Sequence, residues 1–94
     1  MRMIKTFQCR DTEALFNGKR IKRFAHFERN ALRKLEQLDL AITVEDMRSP
    51  PGNRLETLKG DRAGKWSVRI NDQWRVCFRF ENGNALDVEI VDYH

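Results

Sequence analysis

The sequence predicts an α+β fold in which a curved antiparallel sheet of about four to five strands packs on two N-terminal helices. Two periodicities predict it. Apolar residues recur every three or four positions in the first half, as in a helix, and every second position from residue 66 onward, as in a strand. The chain has 94 residues and 40% hydrophobic content. Because single domains commonly contain about 100 residues, we expect one domain spanning residues 1–94.

Local patterns define the N-terminal elements. Residues 3–7, MIKTF, alternate apolar and polar side chains and predict a short strand. Asp11 is expected to cap the start of a short helix, and Gly18 to end it. A longer helix is predicted after the basic connector GKRIKR, because its apolar residues are three or four positions apart and share one face. They are Phe24, Phe27, Ala31, Leu35, Leu38 and Ile42.

The second half of the chain is predicted to form mainly β-sheet. Residues 43–53 are expected to be a connecting loop, since Pro50, Pro51 and Gly52 end any helix there. Residues 54–59 are predicted to form a strand that leads into three more, with Trp66 and Trp74 in the core. The alternating apolar residues of those three strands are Trp66, Val68, Ile70; Trp74, Val76, Phe78, Phe80; and Leu86, Val88, Ile90.

Successive side chains of a strand point to opposite faces of the sheet, and this parity predicts the register of the two hairpins. A three-residue loop at 71–73 places Val68 opposite Val76. For the next hairpin we expect a three-residue loop at 82–84, which places Val76 opposite Ile90. The two-residue type I′ turn favoured by an Asn-Gly pair would instead place Asp87 beside Phe78 on the core face, which argues against it.

The same register places arginines on the outer face of the sheet. Arg79 lies beside Asp87 and is expected to be neutralised there. Arg69 faces Arg75 with no carboxylate directly across, which suggests an anion site. The alternative is that Glu89 or the C-terminal carboxylate neutralises this pair, and parity alone does not choose between the two.

Charge is unevenly distributed along the chain. The net charge is +4, but residues 1–34 carry +7 and residues 35–94 carry −3. Twelve of the eighteen cations are arginines, whose planar guanidinium suits phosphate oxygens. Arg29, Arg33 and Lys34 are expected on the polar face of the long helix, where they form either a solvated surface or a partner-binding one. The distribution favours a nucleic acid or phosphate ligand over a neutral metabolite.

Several functional classes lack their motifs. The spacing of Cys9, Cys77, His26 and His94 matches no metal-binding motif, and the stretch LKGDRAGK lacks the order of a phosphate loop. We therefore expect neither metal nor cofactor. No apolar run approaches the roughly 20 residues of a membrane span, and the N-terminus lacks a signal-peptide core. The chain is expected to be cytoplasmic, with both cysteines reduced and no membrane partner.

The terminal residues Asp92, Tyr93 and His94 can all transfer protons, and they follow one another at the end of the last predicted strand. Tyr93 shares the outward parity of Arg75. The stretch LETLKGDRAGKWSVRINDQWRVCFRF, together with the ending DYH, resembles the HigB-type toxins of the RelE/ParE superfamily. MIKTF and the helical segment after it resemble this family too, so the similarity covers nearly the whole chain.

The resemblance implies a RelE/ParE-like fold and an activity, cleavage of messenger RNA in the ribosomal decoding site. It also implies a helix-turn-helix antitoxin, through which alone the toxin would meet DNA. The family's catalytic residues fall on Lys59, Arg75, Asp92, Tyr93 and His94. We further expect Glu56, Lys65 and Arg69 to contact RNA. Relatives often have a histidine where this chain has Glu56, which argues against any mechanism that needs an imidazole acid or base at that position.

A metal-independent mechanism follows for such a site. The ribose 2′-hydroxyl attacks the adjacent phosphorus, cations stabilise the added charge, and an acid protonates the leaving 5′-oxygen. Arg75 and Lys59 would stabilise charge, while Asp92 or His94 would transfer protons. Tyr93 would position the nucleotide, and Glu56 is a second candidate base. Two alternatives remain: a ParE-like toxin that binds DNA gyrase without catalysis, against which the DYH ending argues, and a non-toxic basic RNA-binding domain.

Overall fold

The computed structural model describes residues 2–60 and 64–93. Within them, two α-helices and three short 3-10 helices precede a four-stranded antiparallel sheet with strand order β1-β2-β3-β4. The α-helices are α1 (Arg10–Phe16) and α2 (Glu28–Leu40), the 3-10 helices are Lys22–Phe27, Val44–Arg48 and Pro51–Asn53, and the strands are β1 (Glu56–Thr57), β2 (Trp66–Arg69), β3 (Trp74–Glu81) and β4 (Asn84–Asp92). The predicted α+β class is confirmed.

The start of α1 differs from the prediction, whereas its end agrees with it. Cys9, in extended conformation, occupies the N-cap position that was predicted for Asp11. Asp11 lies in the first turn instead, where its carboxylate pairs with Arg23 at 3.0 Å. Gly18 ends the helix as predicted, because its φ of +96° suits glycine and its N–H donates to the Leu15 carbonyl.

The predicted long helix divides into the 3-10 helix Lys22–Phe27 and α2. Its apolar face is buried as expected, except for Ile42, which is 72% exposed. The prediction for Ile42 is wrong because Ala41 is extended and ends the helix. The N–H groups of Ile42 and Thr43 then donate to the Asp46 carboxylate, which caps the next 3-10 helix. Residues 43–53 thus contain two 3-10 helices rather than an irregular loop.

Residues 3–8 run alongside β4 in parallel, but they form only two isolated bridges, Ile4 with Ala85 and Phe7 with Val88. The regular strand predicted there is wrong. Between the two bridges, the N–H of Asp87 donates to the Thr6 hydroxyl at 2.8 Å instead of to a backbone carbonyl. That side-chain contact interrupts the ladder. The fourth strand predicted at 54–59 is likewise shorter, since β1 has two residues.

The hairpin between β2 and β3 has the predicted register, with Val68 opposite Val76 and Arg69 opposite Arg75. The hairpin between β3 and β4 does not. Glu81 faces Asn84, so the connection is the two-residue turn Asn82-Gly83, with φ of +53° and +78° as a type I′ turn requires. The predicted three-residue loop is wrong.

A β-bulge in β4 allows the two-residue turn and the predicted pairing of core residues to occur together. The register shifts between the pairs Arg79 with Leu86 and Cys77 with Glu89, and Asp87 at φ +52° occupies the irregular position. The bulge adds one residue to β4, which restores parity. Val76 therefore still faces Ile90, as predicted.

The core lies between α2 and the inner face of the sheet. Trp74 stacks on Phe27 with ring centroids 4.9 Å apart and meets Phe24 edge-on at 5.8 Å. Trp66 and Trp74 are half-buried and pack against the core, so their predicted position is confirmed. None of the described helices is both long enough and apolar enough to cross a membrane.

Asp39 joins the N-terminal segment to α2. Its Oδ1 accepts the N–H of Ile4 at 3.0 Å, its backbone carbonyl accepts the N–H of Met3 at 3.0 Å, and the residue is only 8% exposed. The carboxylate thus satisfies a donor that would otherwise be buried without a partner.

We expect Asp39→Ala to lower the free energy of unfolding by about 1–3 kcal/mol, because the buried Ile4 N–H loses its acceptor. Asp39→Asn keeps an acceptor oxygen and should cost clearly less. Urea unfolding followed by circular dichroism measures both. Equal losses for the two variants would contradict the role given to the Oδ1 hydrogen bond.

Candidate active site

Arg75 is held inside the protein by uncharged oxygens. The residue is 8% exposed on β3, and its Nε donates to the Ser67 hydroxyl at 2.9 Å. Nη2 donates to the backbone carbonyls of Arg54 at 2.5 Å and Ser67 at 3.3 Å. These acceptors come from β2 and from the residue after the last 3-10 helix, so two segments outside β3 fix one guanidinium.

The counter-charge of Arg75 comes from β1. Glu56 faces Ser67 in the β1-β2 register, which brings its Oε1 to 3.5 Å from Nη2 of Arg75. Arg69 is paired with Asp72, three residues further along the chain. The prediction that both guanidinium groups are uncompensated is therefore wrong. Their partners Asp72 and Glu56 were not predicted for them, and the C-terminal carboxylate named as the alternative lies outside the described residues.

An open cleft of about 300 Å³ lies beside this guanidinium. Four of its lining residues were predicted from the sequence, namely Glu56, Arg69, Arg75 and Tyr93. Three more were not: Arg54, Asn71 and Asp72. The sequence held a signal for Asn71, because an asparagine in a tight loop commonly accepts backbone N–H groups just after it. Its Oδ1 accepts those of Gln73 and Trp74.

The end of β4 is attached to the loop between β2 and β3. The N–H of Tyr93 donates to the Gln73 carbonyl at 2.6 Å, and Nε2 of Gln73 donates to the Asp92 carboxylate at 3.1 Å. As a result the Tyr93 ring reaches the cleft, with its centroid 5.8 Å from Cζ of Arg75. Asp92 lies next to Tyr93 but does not line the cleft, and His94 is outside the described residues.

The two predicted lysines lie near the ends of β1 and β2. Lys59 is exposed just beyond β1, and Lys65 precedes β2, where its carbonyl accepts the N–H of Leu58 at 2.9 Å. Neither residue lines the cleft. The structure therefore brings four of the eight predicted site residues around one cavity, while both lysines and Asp92 do not line it and His94 lies outside the described residues.

Positive charge extends from the cleft toward α2. Burial lowers the pKa of Lys34, and the nearby charges of Arg33 and Arg69 lower it further. On the outer face of β3, hydrogen bonds to Glu81 and Asp87 raise the pKa of Arg79. The predicted neutralisation of Arg79 by Asp87, at 3.3 Å, is confirmed.

This arrangement can hold an oxyanion. A guanidinium has five N–H donors, and that of Arg75 is oriented by Ser67 and Arg54 and has the exposed carboxylate of Glu56 beside it. Arginine suits phosphate because its planar donors match two oxygens at once. Among residues 2–60 and 64–93, no three His, Cys, Asp or Glu side chains are grouped so that they could hold a metal ion.

Comparison with known families identifies the class of protein. A model of HigB-like toxins, described as the RelE-like toxin of the type II toxin-antitoxin system HigB, matches residues 6–94. The chain belongs to the HigB-like toxin family. The stretch LKGDRAGKWS and the terminal DYH fall within the matched range, so the resemblance seen in the sequence is confirmed.

Two curated relatives of this HigB-like toxin share part of its length. Toxin HigB-1 of Vibrio cholerae is 51% identical over 59 residues, or 62% of each chain. Endoribonuclease HigB of Proteus vulgaris is 36% identical over 61 residues, or 65% of each chain. In both cases the chain spans less than two thirds of the relative's length.

Solved structures share the fold of this HigB-like toxin at low identity. The YoeB-YefM complex from Staphylococcus aureus gives a TM-score of 0.61 at 18% identity and covers 97% of both chains. A YoeB/ParE toxin from Agrobacterium tumefaciens gives 0.51 at 18% identity and covers 96% of this chain and 98% of that one. The predicted RelE/ParE-like architecture is thereby confirmed.

We expect Ser67→Ala to destabilise the protein by about 1–3 kcal/mol, because it leaves the buried Nε of Arg75 without its hydroxyl acceptor. Arg69→Ala should change stability much less, since its ion pair with the exposed Asp72 is open to solvent. Urea titration of both variants provides the comparison. A larger loss for Arg69→Ala would show that the buried network is not the stabilising element.

Proposed function

We propose that this chain is an endoribonuclease toxin that cleaves messenger RNA on the ribosome and that an antitoxin neutralises it. The observation that carries the proposal is the buried, pre-oriented guanidinium of Arg75 beside an open cleft in a HigB-like toxin. The name of the Proteus vulgaris relative, Endoribonuclease HigB, supports the reaction class.

The reaction uses the RNA itself as nucleophile. A base removes the proton of a ribose 2′-hydroxyl, and the oxygen attacks the adjacent phosphorus. The bond from phosphorus to the 5′-oxygen breaks, an acid protonates that oxygen, and the products are a 2′,3′-cyclic phosphate and a 5′-hydroxyl. The step needs no metal, because side chains supply the protons and the positive charge.

Arg75 is the residue that stabilises the charge added to phosphorus. Its orientation is fixed before substrate arrives, which is the condition under which a donor lowers a barrier most. Lys59 adds a second cation from the periphery of the cleft, and Lys65 and Arg69 contact neighbouring phosphates. Tyr93, whose ring centroid lies 5.8 Å from Cζ of Arg75, stacks on or hydrogen-bonds to the nucleotide.

The proton transfers are assigned to Asp92 or His94, with Glu56 as a second candidate base. Glu56 has the geometry for that role, since its carboxylate is half-exposed and 3.5 Å from Arg75, next to the position of the phosphate. It also competes with the phosphate for Arg75, a property that a neutral histidine at this position would not have.

Partners follow from the family and from charge. The +7 region of residues 1–34 would meet ribosomal RNA, and such contacts weaken as salt rises. A helix-turn-helix antitoxin would bind the toxin and provide its only link to DNA. The YoeB-YefM complex, a solved pair with the same fold on the toxin side, supports a proteinaceous inhibitor.

Arg75→Ala should lower the cleavage rate of a translated message by about 10²–10³-fold, the usual cost of removing one donor that stabilises a transition-state oxyanion. Primer extension on messages translated in a purified system measures it. Arg79→Ala is the matched control, because it removes an arginine from the same strand outside the cleft and should retain cleavage.

Equal cleavage by wild type and Arg75→Ala would contradict the site. Absence of cleavage by the wild type, with inhibition of DNA gyrase in a supercoiling assay, would replace the enzyme by a gyrase-binding toxin. Growth unaffected by expression of the chain would favour a non-toxic RNA-binding domain.

Glu56→Gln should lower both KM and kcat in the same assay. KM falls because the amide no longer competes as an anion for Arg75, and kcat falls because an amide cannot accept the 2′-hydroxyl proton. Asp92→Asn, measured in parallel, tests the other base. An unchanged kcat in Glu56→Gln would leave Glu56 as a counter-charge only.

A further inference from the structure

Arg54 has an unusual backbone. Its φ of +47° and ψ of +57° lie in the left-handed region, which few residues other than glycine occupy. Such a conformation persists only where the surroundings impose it, and residues of this kind concentrate at functional sites. Arg54 also lines the cleft beside Arg75.

A buried asparagine imposes this conformation. Asn53 is fully buried, and its amide nitrogen donates to three oxygens while its amide oxygen accepts from one ammonium. The partners are Oε1 of Gln37, the carbonyls of Met47 and Ser49, and Nζ of Lys34. The N–H of Arg54 itself donates to the Pro51 carbonyl at 3.1 Å. Lys34 and Gln37 therefore tie the turn to α2 through Asn53.

The backbone carbonyl and the guanidinium of Arg54 have different surroundings. Its carbonyl accepts Nη2 of Arg75 at 2.5 Å, so the left-handed turn points a backbone oxygen at the central guanidinium. Its own guanidinium has no carboxylate within 4.0 Å among residues 2–60 and 64–93, whereas Arg69 and Arg75 each have one. Arg54 is thus the cleft arginine whose charge is least compensated by the described residues.

We propose that Arg54 is a phosphate-binding residue of the cleft and that its left-handed backbone positions Arg75. The inference rests on the proposed ribonuclease function and adds a residue to it. The guanidinium binds a phosphate of the RNA strand next to the one that is cleaved, which strengthens substrate binding. The carbonyl acts through Arg75, which affects the chemical step.

Substitutions can separate the two roles because they differ in backbone preference. Arg54→Gly and Arg54→Asn remove the guanidinium but tolerate the left-handed conformation. Arg54→Val removes the guanidinium and strongly disfavours that conformation, because valine is β-branched. Arg48→Ala is the charge control. Arg48 is the last residue of the 3-10 helix Val44–Arg48, pairs with Glu45 and does not line the cleft.

The experiment measures cleavage of a defined message on purified ribosomes as a function of the concentration of the message-ribosome complex. We expect KM to rise about tenfold in Arg54→Gly and Arg54→Asn, the effect of losing one charged hydrogen bond, with kcat within about twofold of wild type. Arg48→Ala should keep both values. The salt dependence of KM should also weaken in the Gly and Asn variants, since one phosphate contact is lost.

Arg54→Val should show the same rise in KM and, in addition, a fall in kcat of about tenfold, because Arg75 loses its carbonyl acceptor. In an Arg75→Ala background, Arg54→Val and Arg54→Gly should have the same kcat, since there is no guanidinium left to position. Arg54→Ala, which is less disfavoured than valine, makes the same comparison if melting curves show that the valine variant does not fold.

The outcomes distinguish this inference from the proposed function. If Arg75→Ala lowers cleavage as expected but Arg54→Gly keeps the wild-type KM, phosphate binding by Arg54 is wrong and the ribonuclease function stands. If Arg54→Val and Arg54→Gly have equal kcat with Arg75 present, the positioning role is wrong. If the wild type does not cleave, the proposed function and this inference both fail.

Discussion

The guanidinium of Arg75 lies between β3, β2 and the turn before β1, and the local structure depends on satisfying it. A buried cation is costly unless hydrogen bonds and a counter-charge replace its water. Ser67, the carbonyl of Arg54 and the carboxylate of Glu56 supply these, each from a different element. Because one side chain bonds to all three, the short strand β1 and the turn before it are held in place although they contribute little apolar burial.

The charge pattern of the cleft follows from this constraint. Arg69 and Arg75 are each paired with a carboxylate, while Arg54 and the nearby Lys34 extend positive potential toward α2. In the proposed function, a phosphate that enters the cleft would displace Glu56 from Arg75 and would also be attracted by the guanidinium of Arg54. The acidic balance of residues 35–94 conceals this, because net charge does not report where cations converge.

Parity predicted much of the sheet and part of the site. It placed Arg69 opposite Arg75 and brought Tyr93 to their face, since alternation along β2, β3 and β4 is a local property. Parity failed at the second hairpin. A three-residue loop and a two-residue turn with a bulge both place Val76 opposite Ile90, so the alternation does not distinguish them. In the observed turn the Thr6 hydroxyl accepts the N–H of Asp87 from 81 positions away, a contact that local alternation does not reveal. Arg54 was missed for a similar reason, as its conformation is set by Asn53 and by side chains of α2.

The contact between Thr6 and Asp87 has a consequence for how the chain acquires its structure. Segments some 80 positions apart must meet before the ladder beside β4 is complete, and such distant pairings are slow because much chain entropy is lost first. During synthesis, residues 3–8 emerge long before their partners. Until β4 follows, Ile4 and Phe7 have no sheet edge to pair with, so this side of the molecule can form only after β4 has been synthesised.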